Sequence, residues 1–404
     1  MTKRRHLYFT FGESYGGIYK SQVVDVVRYM NSGLGADIAL LAILPMKLWS
    51  RQRTIIHKDF FNAAVWSALP FQGRFFMWRW HTVLLGMYVL MSGRKHLICR
   101  GAFATQMALD LRRLGLVKSV VYDGRGAMAA ENDEYSIYPT QISSQVPRLE
   151  RAAVLNADHR IAVTDALADY WSDRFGFRGA YSRIPCTLAS SWNREAEKWE
   201  EARAETREKM GIGDDDLLLL YSGSSAGWQS FDLLIGELDR ALASSPRIQV
   251  LLLCPETPQI EQFLSRWQGR TRRMFVQPSE VLDWICSADI GLVLREKSVT
   301  NSVAMPTKFA EYLSAGLHLV VTKPCPAADY VVSNGLGYVW EKDFDWRALY
   351  KAHAEGDRGA SSSQLIRRKK ARLCAYRDFL KSSDGNRKGY REVLGDFRYL
   401  CVNL

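Results

Sequence analysis

Short apolar runs alternate with amphipathic stretches along almost the whole chain. The first run, Leu7 to Phe11, has the length of a buried strand and ends in Gly12-Glu-Ser-Tyr-Gly-Gly17. Val23, Val24, Val27 and Met30 then recur at helical spacing, and Gly33 and Gly35 close that helix. Ile38 to Leu44 reads as the next strand. Strand, glycine loop, helix, strand is the opening of a doubly wound α/β domain. Further strands are expected at His96–Cys99, Ser119–Tyr122 and His159–Val163, with helices at Ala102–Leu114 and Arg148–Asn156. Thr164 is placed to cap a helix that runs to Phe175 and stops at Gly176. Residues 54–92, dense in Phe, Trp and Arg, read as helical.

A second series of the same kind follows. Strands are expected at Leu217–Tyr221, Ile248–Leu253, Met274–Val276, Ile290–Leu294 and Leu317–Val321, with helices at Phe231–Leu242, 258–268, Val281–Cys286 and Pro306–Ser314. Between the series lies a stretch from Asn193 to Met210 rich in Glu, Arg and Lys, read as a charged connecting helix. A chain of 404 residues exceeds one core, which stops growing at roughly 250–300 residues. Two Rossmann-like parallel-sheet domains are therefore expected: 1–190, a linker helix 191–212, a second domain 213–360, and a helical tail 361–404 that packs back on the first domain.

Composition changes this picture little. Hydrophobic residues make up 47% and charged residues 24%, as in ordinary globular proteins. The net charge of +11 suits an anionic partner without choosing one. The basic residues are dispersed and no nucleic-acid module is present, so nucleic acid is not expected. Seven cysteines are scattered with no C-x-x-C spacing, which argues for buried thiols and against a zinc site. No metal-ligand cluster is expected. The stretch Trp80–Met91 is too short to span a bilayer, which needs about 20 residues, and the N-terminus lacks an export signal. A cytoplasmic protein is expected. Residues 60–91 and the basic tail around Arg367-Arg-Lys-Lys370 leave a peripheral membrane contact open.

Candidate chemistry concentrates in Met305-Pro-Thr-Lys-Phe-Ala-Glu-Tyr-Leu-Ser-Ala-Gly316. Pro306 suits a first helical position. The amides and dipole of that helix start favour a phosphate, and Lys308 adds a full charge. Thr307 and Glu311 share a face, so a diphosphate at the helix start leaves the Glu311 carboxylate one turn deeper, able to accept hydroxyl hydrogen bonds from a ribose. Taken alone, the pattern equally describes an amphipathic helix with a surface Lys–Glu pair. Asp123 and Arg125, in Tyr122-Asp-Gly-Arg-Gly126, would stand at a strand's carboxyl end with Gly124 and Gly126 allowing a sharp turn; a mere Asp–Arg brace stays open. Arg100 is a weaker candidate of the same sort, and His96 and His159 read as structural. Gly16 and Gly17 form a candidate phosphate loop.

Pro306 to Gly316, followed by Leu-His-Leu-Val-Val321, resembles the donor-site segment of family-4 GT-B glycosyltransferases. Ala157–Thr164, Arg183-Ile-Pro-Cys186, Leu219–Ser224 and Ser287–Leu294 resemble other segments of that family, in order. The resemblance implies two doubly wound domains facing a cleft (GT-B), with the donor held mainly by the second. It implies a sugar moved from a nucleotide diphosphate sugar to a glycan or lipid-linked acceptor, with retention, no metal and no cofactor besides that co-substrate. Glu311 would bind the ribose. Pro306, Thr307 and Lys308, with Ser222, Gly223 and Ser224, would surround the nucleotide diphosphate. Two positions depart from the family: Val303 stands where a second glutamate is frequent, and Gly227-Trp-Gln229 replaces an Arg and Lys pair. Arg295 and Lys308 become the candidates for offsetting phosphate charge. An epimerase on the same fold and a catalytically silent GT-B subunit are the alternatives.

Overall fold

The computed structural model describes residues 5–68, 75–186, 188, 196–224, 226–277, 280–357 and 384–394. The chain divides into two compact units, Met1–Thr187 with Lys381–Leu404, and Leu188–Leu380. The Arg367–Lys370 run lies outside the described residues.

Unit 1 is built on a parallel sheet of seven strands: β1 (Arg5–Phe11), β2 (Asp37–Leu44), β3 (Ala63–Ser67), β4 (His96–Arg100), β5 (Ser119–Gly124), β6 (His159–Ala162) and β7 (Ser182–Arg183). Their order across the sheet is β3-β2-β1-β4-β5-β6-β7. The reversal beside β1 places the first strand inside the sheet, third of seven, and sends the chain outwards on both sides, the doubly wound pattern. The helix after β1 runs from Gly17 to Gly33 with a π turn at Lys20–Val24, and Val23, Val24, Val27 and Met30 are buried on it as their spacing requires. Thr164 caps the helix Asp165–Phe175 by accepting from Leu167 N at 3.1 Å, and Gly176 ends it at φ 71°. His96 and His159 each bond a serine of the neighbouring strand, Ser119 and Ser182, at 2.8 Å. The helix Asp384–Val393 belongs to this unit. Its Tyr390 and Val393 enter the core, and Glu392 accepts from Ser182 Oγ at 2.7 Å.

Residues 54–92 differ from the expectation of a continuous helical stretch. A helix Met46–Asp59 is followed by edge strand β3, a 3-10 segment Phe75–Trp80 and the helix His81–Ser92. In β3, Ala-Ala-Val-Trp-Ser, the small residues carry no strand signal, and pairing with Leu40–Leu44 of β2 decides the conformation.

Unit 2 carries six parallel strands: β8 (Leu217–Ser222), β9 (Ile248–Leu253), β10 (Thr271–Met274), β11 (Ile290–Val293), β12 (His318–Thr322) and β13 (Gly337–Trp340), in the order β10-β9-β8-β11-β12-β13. Both faces are covered. Leu218 and Leu220 join one core with the helices Val281–Cys286 and Thr307–Ser314, while Leu217, Leu219 and Tyr221 join the other with Phe231–Ser244. Burial on both faces is why β8 reads Leu-Leu-Leu-Leu rather than alternating. β10 lies earlier than the Met274–Val276 expectation, and β13 is an additional edge strand. The charged helix Ala196–Met210 is part of this unit: Trp199 is buried, and Arg203 and Arg207 both bind Asp289, at 2.5 and 3.2 Å. Their charge holds the Asp289 carboxylate far below its ordinary range against the opposing cost of burial. Five cysteines, Cys99, Cys186, Cys254, Cys286 and Cys325, are buried thiols.

Candidate functional site

In unit 2 the candidate residues gather at the carboxyl ends of β8 and β11. The helix Thr307–Ser314 is seated by Phe309, Tyr312 and Leu313, all buried. Tyr312 also fixes its height, because the backbone N–H of Ser222 at the end of β8 donates to the Tyr312 hydroxyl at 2.8 Å. Pro306 precedes the helix as its N-cap, with ψ 131°, rather than occupying the first helical position; its carbonyl accepts from Phe309 N at 3.1 Å. Among the described residues no side chain caps this end, so the first-turn amides are available to an anion. Thr307 is half-buried beside them.

Lys308 is the unusual member. It is 6% exposed, yet its Nζ donates to the neutral Gln229 Oε1 at 2.8 Å and stands 4.0 Å above the Tyr221 ring. Among the described residues no carboxylate lies within ion-pair distance of it. Burial, and then the charge of Arg295, pull its pKa well below the ordinary 10.5, with Glu311 opposing. Arg295 follows β11 and is also buried; its Nη1 donates to Asn301 Oδ1 at 3.4 Å. Glu311 lies one turn into the helix, half-buried, and its side chain takes no hydrogen bond from any described residue. Burial pushes its carboxyl up to about 7, against the pull of Lys308. Lys308, Arg295 and the Glu311 carboxylate therefore share the region. A buried charge without a charged partner is costly unless a ligand supplies one.

The Ser222–Ser224 loop closes over this group. Gly223 donates to Leu253 O at 3.0 Å, and the Ser224 carbonyl accepts from the Tyr221 hydroxyl at 2.6 Å. Gly223 has φ +148°, which favours glycine, and a Cβ there would come 3.1 Å from Lys308 Nζ, so the space beside the lysine is tight as well. Beside the loop a cavity of about 260 Å³ is walled by Leu253, Cys254, Pro255, Met274 and Val276. Its mainly apolar wall suits a flat heterocycle. Val303 is buried on the short helix Val299–Val303. Gln229 and Tyr221 hold Lys308: Gln229 ends the 3-10 turn Gly227–Gln229, the stretch that stands where the family resemblance expects an Arg and Lys pair, and Tyr221 reads in the sequence as one more core residue of β8.

In unit 1 the register sets Arg100 of β4 opposite Asp123 of β5. Asp123 is fully buried. Its Oδ1 lies 2.7 Å from Arg125 Nε and its Oδ2 3.2 Å from Arg125 Nη2, while the Tyr8 hydroxyl donates to Oδ2 as well. Arg100 Nη1 is 3.9 Å from Oδ2, and Arg100 Nε bonds Glu13 of the glycine loop at 2.8 Å. The carboxylate is thus occupied by its own neighbours, which gives Asp123 the geometry of a brace. Arg125 reaches on to the Ile184 carbonyl at 3.5 Å and lies beside Tyr390. Gly124 and Gly126 do not make a sharp positive-φ turn. They are needed for room: a Cβ at Gly124 would strike the Trp171 ring, and one at Gly126 the Glu131 carboxylate. Gly16 and Gly17 are exposed at the start of the helix after β1, which also has no side-chain cap. The loop before them is tied through Glu13 to Arg100 and through Tyr15 N to Gln52 at 2.9 Å. Glu13 and Tyr8 escaped the sequence reading because only the sheet register brings them to Asp123.

No family model and no curated protein matches the sequence. Solved structures do match over nearly its full length. Sucrose-phosphate synthase from Thermosynechococcus elongatus aligns with a TM-score of 0.68 at 13% identity, covering 97% of this chain and 100% of that one. Anabaena HepE, solved with UDP-glucose, aligns at 0.67 and 12% identity, covering 97% and 100%. WaaG, a glycosyltransferase involved in lipopolysaccharide biosynthesis, aligns at 0.62 and 14%, covering 92% and 95%. At these identities the likeness establishes the fold: two Rossmann-like α/β domains of the GT-B type.

Proposed function

We propose that the chain is a glycosyltransferase whose second unit holds a nucleotide diphosphate sugar, the sugar passing to a glycan or glycolipid acceptor. The observation that carries this reading is Lys308, a buried cation whose close partners among the described residues are an amide and an aromatic ring, at a helix start that no described side chain caps. A diphosphate supplies the missing negative charge. When the bond from the sugar to the diphosphate breaks, negative charge grows on the leaving oxygen, and cations fixed in advance stabilise it without reorganising. Lys308, Arg295 and the amides of Thr307 and Lys308 fill that role. Glu311 accepts the ribose hydroxyls, and the apolar cavity beside Ser222–Ser224 takes the base. Asp123 positions Arg125, which faces the acceptor. The nucleotide-sugar complex of HepE, a protein of the same fold, supports the donor class. Retention and independence of metal rest on the resemblance of residues 306–316 to family-4 enzymes.

Turnover tests the reading. A panel of nucleotide diphosphate sugars is offered with glycan and glycolipid acceptors, and free nucleoside diphosphate and glycosylated acceptor are measured. One donor should be consumed, with product in the donor's anomeric configuration and no loss on adding a chelator. Glu311→Ala should lower turnover by at least about a hundredfold, the low end of what two hydrogen bonds to a charged group are worth. Conversion of the donor sugar to its epimer without nucleotide release, or donor binding with no turnover on any acceptor, would overturn it.

A further inference from the structure

The helix His81–Ser92 has two apolar faces, and only one is used by the fold. His81, Leu85, Gly86 and Val89 face inward and are buried; a Cβ at Gly86 would stand 3.2 Å from Leu111 of the helix Gly101–Arg113. On the opposite side Trp80, Val83, Met87, Leu90 and Met91 are 50–69% exposed. Their spacing of three, four, three and one places them within an arc of about 100°. Large apolar side chains seldom line up on one exposed helix face without a partner.

The surroundings identify that partner's chemistry. No aspartate or glutamate occurs anywhere from residue 60 to residue 109, and residues 80–93 carry no formal charge. At one end of the helix Arg79 and Arg113 share the single carboxylate of Asp110, at 3.1 and 3.3 Å. At the other end Arg94 and Arg5 share the single carboxylate of Asp37, at 2.6 and 3.6 Å, with Lys95 exposed beside them. Each end therefore keeps a surplus of positive charge, and the apolar stripe runs between them. Twelve residues of helix span about 18 Å, too short for a hydrocarbon core of about 30 Å. No helix among the described residues is long and apolar enough to cross a membrane. A helix of this length, with Trp at its start and cations at both ends, fits flat in the interface.

We infer that the Trp80–Met91 face is a docking surface for an anionic lipid bilayer. The apolar stripe enters the acyl boundary, and the exposed Arg79, Arg113, Arg5 and Lys95 meet the headgroups, while Arg94 stays bound to Asp37 and the His6 carbonyl. This inference is independent of the donor-site reading, since it uses none of those residues.

The test is flotation of the full chain with phosphatidylcholine vesicles, with and without phosphatidylglycerol. Leu90→Gln/Met91→Gln and Arg79→Gln/Lys95→Gln are run beside it, folding being checked by thermal melt and nucleotide binding. Wild type should float with the anionic vesicles and be released by high salt. The apolar variant should lose at least about tenfold in partitioning with an unchanged melt. The charge variant should lose about tenfold on anionic vesicles only. No binding to anionic vesicles, or binding that the apolar variant leaves intact, would overturn the inference. So would a dimer in solution that the apolar variant dissociates, because a second copy would then be what covers this face.

Discussion

Each unit buries cations at the carboxyl ends of a parallel sheet, but the two clusters are balanced differently. In unit 1, Arg125 and Arg100 have Asp123 and Glu13, and the Tyr8 hydroxyl completes the coordination of Asp123. In unit 2, Lys308 has a neutral amide and a ring, Arg295 adds to the positive charge, and among the described residues Glu311 is the carboxylate that acts on it. The same chemical type of residue therefore does opposite things. A cation whose counter-charge is built into the chain stiffens the fold. A cation whose counter-charge is missing weakens the empty fold and strengthens the bound one.

The largest expected effect comes from unit 1. Asp123→Asn leaves Arg125 buried without its carboxylate and should cost roughly 3–5 kcal/mol in denaturant unfolding, with nucleotide affinity retained in whatever fraction remains folded. Lys308→Met should do the reverse. The native state should be as stable or more stable, while affinity for the nucleoside diphosphate falls about a hundredfold. The sign with pH follows from the depressed pKa. Burying the charged lysine costs stability below that pKa, and the cost fades as pH rises towards 10.5, so the gain in the variant should be greatest at low pH. If both variants destabilise alike, the contrast between the clusters is lost.

Glu311→Gln sharpens it further. With an ordinary pKa of 4.5 unfolded and about 7 folded, the wild-type carboxyl binds more protons in the native state between those values. Its contribution to stability is thus fully present below 4.5 and is lost as pH rises to about 7. The melting temperature of Glu311→Gln should gain on wild type across that window and then stay level, measured without ligand. The smallest effect is Gly223→Ala. Strained backbone and the 3.1 Å approach to Lys308 Nζ should cost about 1–3 kcal/mol and weaken nucleotide binding.

The alternation of strands and helices was legible because β1, β2, β8 and β9 are buried on both faces and are therefore mostly apolar runs. Edge strands β3 and β13 were not, since Ala63–Ser67 and Gly337–Trp340 owe their conformation to pairing with β2 and β12. The charged helix Ala196–Met210 misled in another way. Its arginines read as a solvated face, but Arg203 and Arg207 bind one buried aspartate 86 and 82 residues away. At the site, Pro306 to Glu311 stood out because their spacing is local. Their contacts did not: Gly227-Trp-Gln229 was visible only as the stretch replacing a basic pair, and Gln229 and Tyr221 reach Lys308 only through the fold.

The most direct measurement is calorimetric titration of a panel of nucleoside diphosphates and the matching monophosphates into wild type and Lys308→Met. The account predicts that one diphosphate binds wild type, that its monophosphate binds far more weakly, and that Lys308→Met loses about a hundredfold on the diphosphate while remaining folded. Equal affinity for the diphosphate in wild type and Lys308→Met, or no binding of any diphosphate, would contradict it.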